Sequence, residues 1–338
     1  MTNFKQYLRS HMRSSFRSFI YILVAVIVLS LVIGLSDQPT YDYDPQLEQS
    51  VRAYTATLYI PILFMSILAY AIPVMEFSFF KKRINLDCAY SLPISRRAMG
   101  AVHYITGLIM LLGAYTASYL TNFVLLLSRG PGHFDFMPMI PHYFLTALLG
   151  FCMYSVMVFV FNEANTKGDG IWFMVLYTFI FYLITGALLI VTDGSSVDHI
   201  FVTVPWGVID KLKNSYEYAI NNISVKESFF WQSPMCIAFF IFWVVAGTAS
   251  TVGLLTTFGK RRMERTEEIS DSYFGYRVLI PTYAVGGMIV FSGLDALTWI
   301  IIEILAFLGY TIYRRGFHYK RSDIIILLSL IVFLFIDI

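Results

Sequence analysis

Six histidines, His11, His103, His133, His142, His199 and His318, are the residues best suited to ligate a metal or carry a proton. They are scattered over loops and helix edges without ligand spacing, so the sequence predicts no metal site. There is no H-E-x-x-H, no pair of buried aspartates and no G-x-S-x-G, which leaves an intramembrane enzyme without its best-known catalytic sets. No catalytic residue and no bound cofactor are expected. Cys88, Cys152 and Cys236 lie far apart, without a disulfide framework or a zinc pattern. A phosphate-binding G-x-x-x-x-G-K-[ST] is missing, and Gly168-Asp169-Gly170 and Gly247-Thr248-Ala249-Ser250 lack its lysine.

What remains is a polar segment between two apolar runs, residues 79–97, reading FFKKRINLDCAYSLPISRR. It has the composition of a docking element. A short helix over Phe80–Tyr90 would end before Pro93, because proline cannot continue a helix and restricts the residue before it. Ile84, Leu86 and Leu92 then supply an apolar docking face. Lys81, Lys82, Arg83, Asp87, Arg96 and Arg97 set its orientation, and Pro93 turns the chain into the next run. Two further carboxylates stand out. Glu76 ends the preceding run and is expected to pair with an arginine or to be solvated. Glu303 is the one ionisable residue deep in an apolar run, which marks either proton or cation handling or a protonated hydrogen-bond donor.

The elements that must position these residues are membrane helices. The 338 residues are 57% hydrophobic and only 14% charged, against about 25% charged in a soluble domain. Apolar runs of about 20 residues recur, each long enough for a hydrocarbon core of about 30 Å. They are continuous rather than alternating, which argues against a β-barrel. Nine spans are predicted, at about 20–35, 54–77, 99–127, 143–161, 171–192, 235–258, 278–291, 297–313 and 324–338. The seventh and eighth, joined by a tight turn at 292–296, are short enough to form a hairpin that does not fully cross. The first run lacks a small-residue cleavage site and reads as a retained span. An N-terminus inside puts 19 of the 24 lysines and arginines on the inner side, as the positive-inside rule requires. No nucleic-acid surface is expected.

Two segments flank this core. Lys5, Arg9, Arg13 and Arg17 repeat every four residues beside Phe4, Leu8, Met12 and Phe16, predicting an interfacial amphipathic helix over 1–19. The long outer loop 193–234 contains Trp206, Tyr216, Tyr218 and Phe229-Phe230-Trp231, predicting short helices that dip back toward the interface.

Glu76, the basic cluster, Leu86-Asp87 and Ser91-Leu92-Pro93-Ile94-Ser95-Arg96-Arg97, set in this order of spans, resemble the permease subunit of a bacterial ABC type 2 exporter over residues 1–258. The resemblance implies an all-α polytopic fold with an elbow helix at 1–19 and a six-span core at 20–258. The core would carry the coupling segment 79–97 and the re-entrant-like loop 193–234. Residues 259–338 form an accessory transmembrane region outside the six-span pattern. It also implies two cytoplasmic ATPase subunits that bind ATP and magnesium, a second permease copy or a sibling permease, and a bacterial plasma-membrane location. The cargo expected is hydrophobic or amphipathic: a peptide antibiotic, drug or lipid. The alternatives are a stand-alone ion-coupled carrier or channel and, behind it, an intramembrane enzyme.

Overall fold

A computed structural model describes residues 2–37, 40–44, 49–53, 56–128, 136–191, 205–220, 229–260, 266–268, 270, 272–290, 296–314 and 316–336. In chain order these form α1 (Thr2–Ser36), β1 (Thr40–Asp44), β2 (Gln49–Ala53), α2 (Ala56–Phe77), a 3-10 turn (Ser78–Lys81), α3 (Arg83–Tyr90), α4 (Arg96–Ser128), α5 (Met139–Glu163) and α6 (Lys167–Val191). There follow α7 (Pro205–Ile220), α8 (Phe229–Gln232), α9 (Pro234–Thr257), a 3-10 turn (Phe258–Lys260), α10 (Tyr276–Val290), α11 (Ala296–Arg314) and α12 (Arg321–Ile336). Each of the nine predicted apolar runs is a helix. Five of them, Phe4–Ser36, Leu58–Lys81, Arg96–Ser128, Met139–Glu163 and Cys236–Lys260, are by length and composition able to cross a membrane. The architecture is that of a helical, multi-pass membrane protein.

Three features differ from the sequence expectation. The interfacial helix at 1–19 and the first span are one uninterrupted 35-residue rod, α1. No glycine or proline interrupts the chain before Gly34, so nothing frees the backbone ladder to make an elbow. The acidic loop after α1 contains a short two-stranded antiparallel ribbon, with Thr40 opposite Ala53 and Asp44 opposite Gln49, in an otherwise all-helical fold. The fifth predicted span, α6, packs with the C-terminal helices rather than with the core at 20–258. The chain divides into a first unit, Met1–Phe159 with Pro205–Met263, and a second, Val160–Val204 with Glu264–Ile338.

In the first unit α4 lies along both α1 and α2. Polar groups are tied helix to helix, because an unmade hydrogen bond inside an apolar bundle is costly. Ser30 and Ser118 hydroxyls meet at 2.8 Å between α1 and α4. Tyr104 Oη lies 2.7 Å from Ser155 Oγ and 3.1 Å from Thr251 Oγ1, joining α4, α5 and α9. Tyr119 Oη donates to the Met139 carbonyl at 2.9 Å, and Thr116 Oγ1 meets Tyr143 Oη at 2.7 Å. The loop at 193–234 does contain helices. Val208, Ile209 and Leu212 of α7 are fully buried, and α7 packs on α2 and α9. Residues 192–204 and 221–228 of that loop lie outside the described residues.

Glycine permits the closest helix approach. A Cβ at Gly247 of α9 would lie 2.6 Å from the Cys152 Cα of α5, a backbone contact that no rotamer change can relieve. Gly247→Val is expected to lower the stability of the detergent-solubilised protein by about 1–3 kcal/mol, read in a denaturation midpoint.

The second unit is joined by tyrosines. Tyr276 Oη donates to Asp169 Oδ1 at 2.7 Å and Tyr177 Oη to the Phe274 carbonyl at 2.9 Å. Ala284, Met288, Trp299 and Ala306 form its core, with Ile302, Ile326 and Leu327 packed against them. Between α11 and α12, Arg314 grips Asp323 with two hydrogen bonds, Nε to Oδ2 at 2.8 Å and Nη2 to Oδ1 at 3.0 Å. The Lys320 amide donates to Oδ2 at 3.1 Å. Burial works to raise the Asp323 pKa, but the Arg314, Lys320 and Ser322 hydrogen bonds and the Arg314 charge outweigh it, and the carboxyl is held below its ordinary 3.8. A lowered folded-state pKa gives stability that is present above the ordinary value and lost as pH falls through the lowered one. Asp323→Asn should therefore flatten the loss of thermal stability of the solubilised protein below pH 3.8.

Candidate functional site

Two structures meet where α2 passes into α4: a polar cluster inside the bundle and a short helix that projects from it. The turn between the arms is built by local rules. Pro61 and Pro73 leave α2 unbroken, although each removes one ladder hydrogen bond. After Phe77 the chain tightens into the 3-10 turn, and Lys82 takes an extended backbone, φ −113° and ψ 126°, which redirects it into α3. Pro93 follows α3 and stops it. Ser95 starts α4 as its N-cap, accepting the Ala98 amide on Oγ at 3.3 Å. The Leu-Pro-Ile-Ser run is thus a stop followed by a start.

The predicted docking residues divide between two faces. Leu86 is 3% exposed and Lys81 2%, so both belong to the interior and neither is available to a partner. The correction has a periodic cause: Ile84 and Leu86 are two apart and cannot share a helix face. Ile84, by contrast, is 81% exposed and Leu92 40%. Lys82, Arg83, Pro93 and Arg97 are exposed and Arg96 is half-buried. Arg97 lays its stem over Gly259, where an added Cβ would meet Arg97 Cγ at 2.7 Å. Asp87 lies within α3, and its side chain is outside the described residues. Phe80, 3% exposed, anchors the turn beneath α3.

Glu76 is buried at the end of α2, and its partners are histidines rather than the expected arginine. Its Oε2 lies 2.8 Å from His11 Nε2 of α1 and 3.2 Å from His103 Nδ1 of α4. The other ring nitrogen of His103, Nε2, is 3.3 Å from Tyr7 Oη. The two imidazoles are in contact, ring centres 3.9 Å apart. Phe80 packs its edge on His103 at 4.8 Å, and Phe77 and Phe258 complete an apolar wall. A carboxylate so placed needs its donors, because water cannot replace them. The simplest proton arrangement has both imidazoles donating N–H to Oε2 and the Tyr7 hydroxyl donating to His103 Nε2.

In the sequence His11 and His103 are two of six scattered histidines without ligand spacing, but in the fold the ligand-capable atoms of His11, Glu76 and His103 lie within 4.8 Å of one another. A partial signal was present. Glu76 and His103 stand on either side of the polar turn, in the two arms of one hairpin. His11 carried none, since its approach depends on how α1 packs. Glu303 takes no part: it lies in α11 of the second unit, and its Oε2 has no hydrogen-bond partner among the described residues.

No protein-family model matches this chain, and neither a curated protein nor a solved structure does.

Removing the carboxylate should loosen α1 from the hairpin. Glu76→Ala is expected to destabilise the solubilised protein by about 1.5–3 kcal/mol, as for hydrogen bonds to a charged group. In a double-mutant cycle with His11→Ala, a coupling energy near zero would contradict the pairing.

Proposed function

We propose that this chain is the membrane-spanning permease subunit of a bacterial ATP-driven ABC exporter, moved by separate ATPase subunits. The observation that carries the reading is α3: an eight-residue helix between two membrane-length helices, rooted by Leu86 and Phe80, with Ile84 presented at 81% exposure among Lys82 and Arg83. Such a knob suits a groove in a soluble motor, because its buried root transmits force to both arms. The chain has no phosphate-binding lysine motif, so ATP and magnesium belong to the partner. The charge bias supports an N-terminus and an α3 on the cytoplasmic side of the plasma membrane. The permease works as a pair, with a second copy or a sibling.

A hydrophobic or amphipathic cargo accords with an open apolar groove of about 700 Å³ in the first unit, bordered by Phe123, Phe136, Met137, Phe144, Tyr119 and Tyr143. A second reading, an ion-coupled carrier acting alone, draws on the His11–Glu76–His103 cluster, since ionisable groups inside membrane bundles commonly serve ion movement.

Copurification from the native membrane separates the two. The exporter reading expects ATPase subunits with the wild-type chain and their loss from the Ile84→Glu/Leu92→Glu double variant, whereas Leu86→Glu should reduce the folded yield itself. ATPase retained at wild-type level by the folded double variant removes α3 as the docking site. Cargo or ion transport by the purified chain alone in vesicles removes the exporter reading.

A further inference from the structure

We infer that His11, Glu76 and His103 form a binding site for one divalent transition-metal ion of the zinc class, a clamp that fastens α1 to the α2–α4 hairpin. Nothing in the transport reading requires such an ion, and the inference stands or falls independently of it.

The donor set selects the ion. Two imidazole nitrogens and one carboxylate oxygen match the three-ligand, open type of zinc site, which keeps a fourth position for water. Magnesium and calcium take oxygen ligands and are disfavoured by two imidazoles. The ligands come from three helices, 65 and 27 residues apart in sequence. They are already gathered within 4.8 Å, so small side-chain movements bring them to bonding distances of about 2.0–2.2 Å.

The outer shell is also in place. A zinc-bound histidine ordinarily donates its other N–H to a neighbouring acceptor, which fixes its tautomer. His103 offers Nδ1 toward the cluster, and its Nε2 faces Tyr7 Oη at 3.3 Å. On metal binding the His103 proton moves from Nδ1 to Nε2, and Tyr7 changes from donor to acceptor, as a hydroxyl can. The His11 proton moves from Nε2 to Nδ1. The ion then takes the place that two N–H groups hold against Oε2, and the carboxylate charge offsets part of its own. Phe77, Phe80 and Phe258 keep the surroundings apolar, while His11, with a side chain 18% exposed, leaves an entry path. Because Phe80 of the turn packs on His103, occupancy stiffens the joint from which α3 projects.

The test uses the full chain purified in detergent, stripped with chelator and titrated with Zn²⁺ or Co²⁺ alone. One ion per chain by elemental analysis is expected, with a visible Co²⁺ d–d band, a rise in melting temperature, and a zinc-edge absorption spectrum showing two imidazoles and no sulfur. His11→Ala removes the least buried ligand and should abolish the band and the thermal shift. Tyr7→Phe leaves all ligands present and should weaken affinity by about 10–100-fold. The inference is overturned if the folded wild-type protein retains no stoichiometric ion, if His11→Ala binds as well as wild type, or if the zinc edge reports sulfur ligation. Should His11→Ala not be recovered folded, wild-type stoichiometry and the edge spectrum decide alone.

Discussion

One buried carboxylate organises the first unit. Glu76 sits among apolar helices with a side chain only 6% exposed, and a charge there persists only if donors surround it. His11 and His103 supply them from two other helices. The consequence is geometric. α1 cannot slide along the hairpin or rotate by a residue without stranding the carboxylate, so a single polar contact sets the register of a 35-residue rod that van der Waals packing would leave loosely specified. The serine pair Ser30–Ser118 repeats the restraint further along the same two helices.

The same end of the bundle carries the short helix, and the two are mechanically linked. Phe80 touches His103 and Phe258, and Leu86 is buried. A force applied at Ile84 therefore reaches the histidine cluster through packed side chains rather than through a flexible loop. Pro93 and Ser95 close the far side of the joint by ending α3 and capping α4. A stiff knob on two membrane-length levers is the feature on which the proposed motor-driven function rests.

The second unit handles polar groups in apolar helices with the same kind of tyrosine tie and with one ion pair. Tyrosine hydroxyls reach across to partners on neighbouring segments, as Tyr177 does to Phe274 and Tyr276 to Asp169, while Arg314 and Asp323 neutralise each other at the helix ends. These contacts gather α6 with α10, α11 and α12. Counting spans in order had assigned α6 to a six-helix core, because order along the chain carries no information about which lateral faces match.

Element identity was legible because it is local. Runs of apolar residues long enough for a bilayer can satisfy their backbone groups only as helices, and each of the nine predicted runs is one. Pro93 likewise announced the end of α3. The two-stranded ribbon of β1 and β2 went unseen in a short polar loop, and the elbow at 1–19 was expected from an amphipathic stripe that in fact continues into the same uninterrupted helix. The site depended on distance rather than type. His11, Glu76 and His103 are individually unremarkable in the sequence, and Leu86 looked like part of a docking face. Only the lateral packing of α1 on the hairpin, decided by side-chain shape across helices and by the need to compensate a buried charge, brought two histidines to one carboxylate.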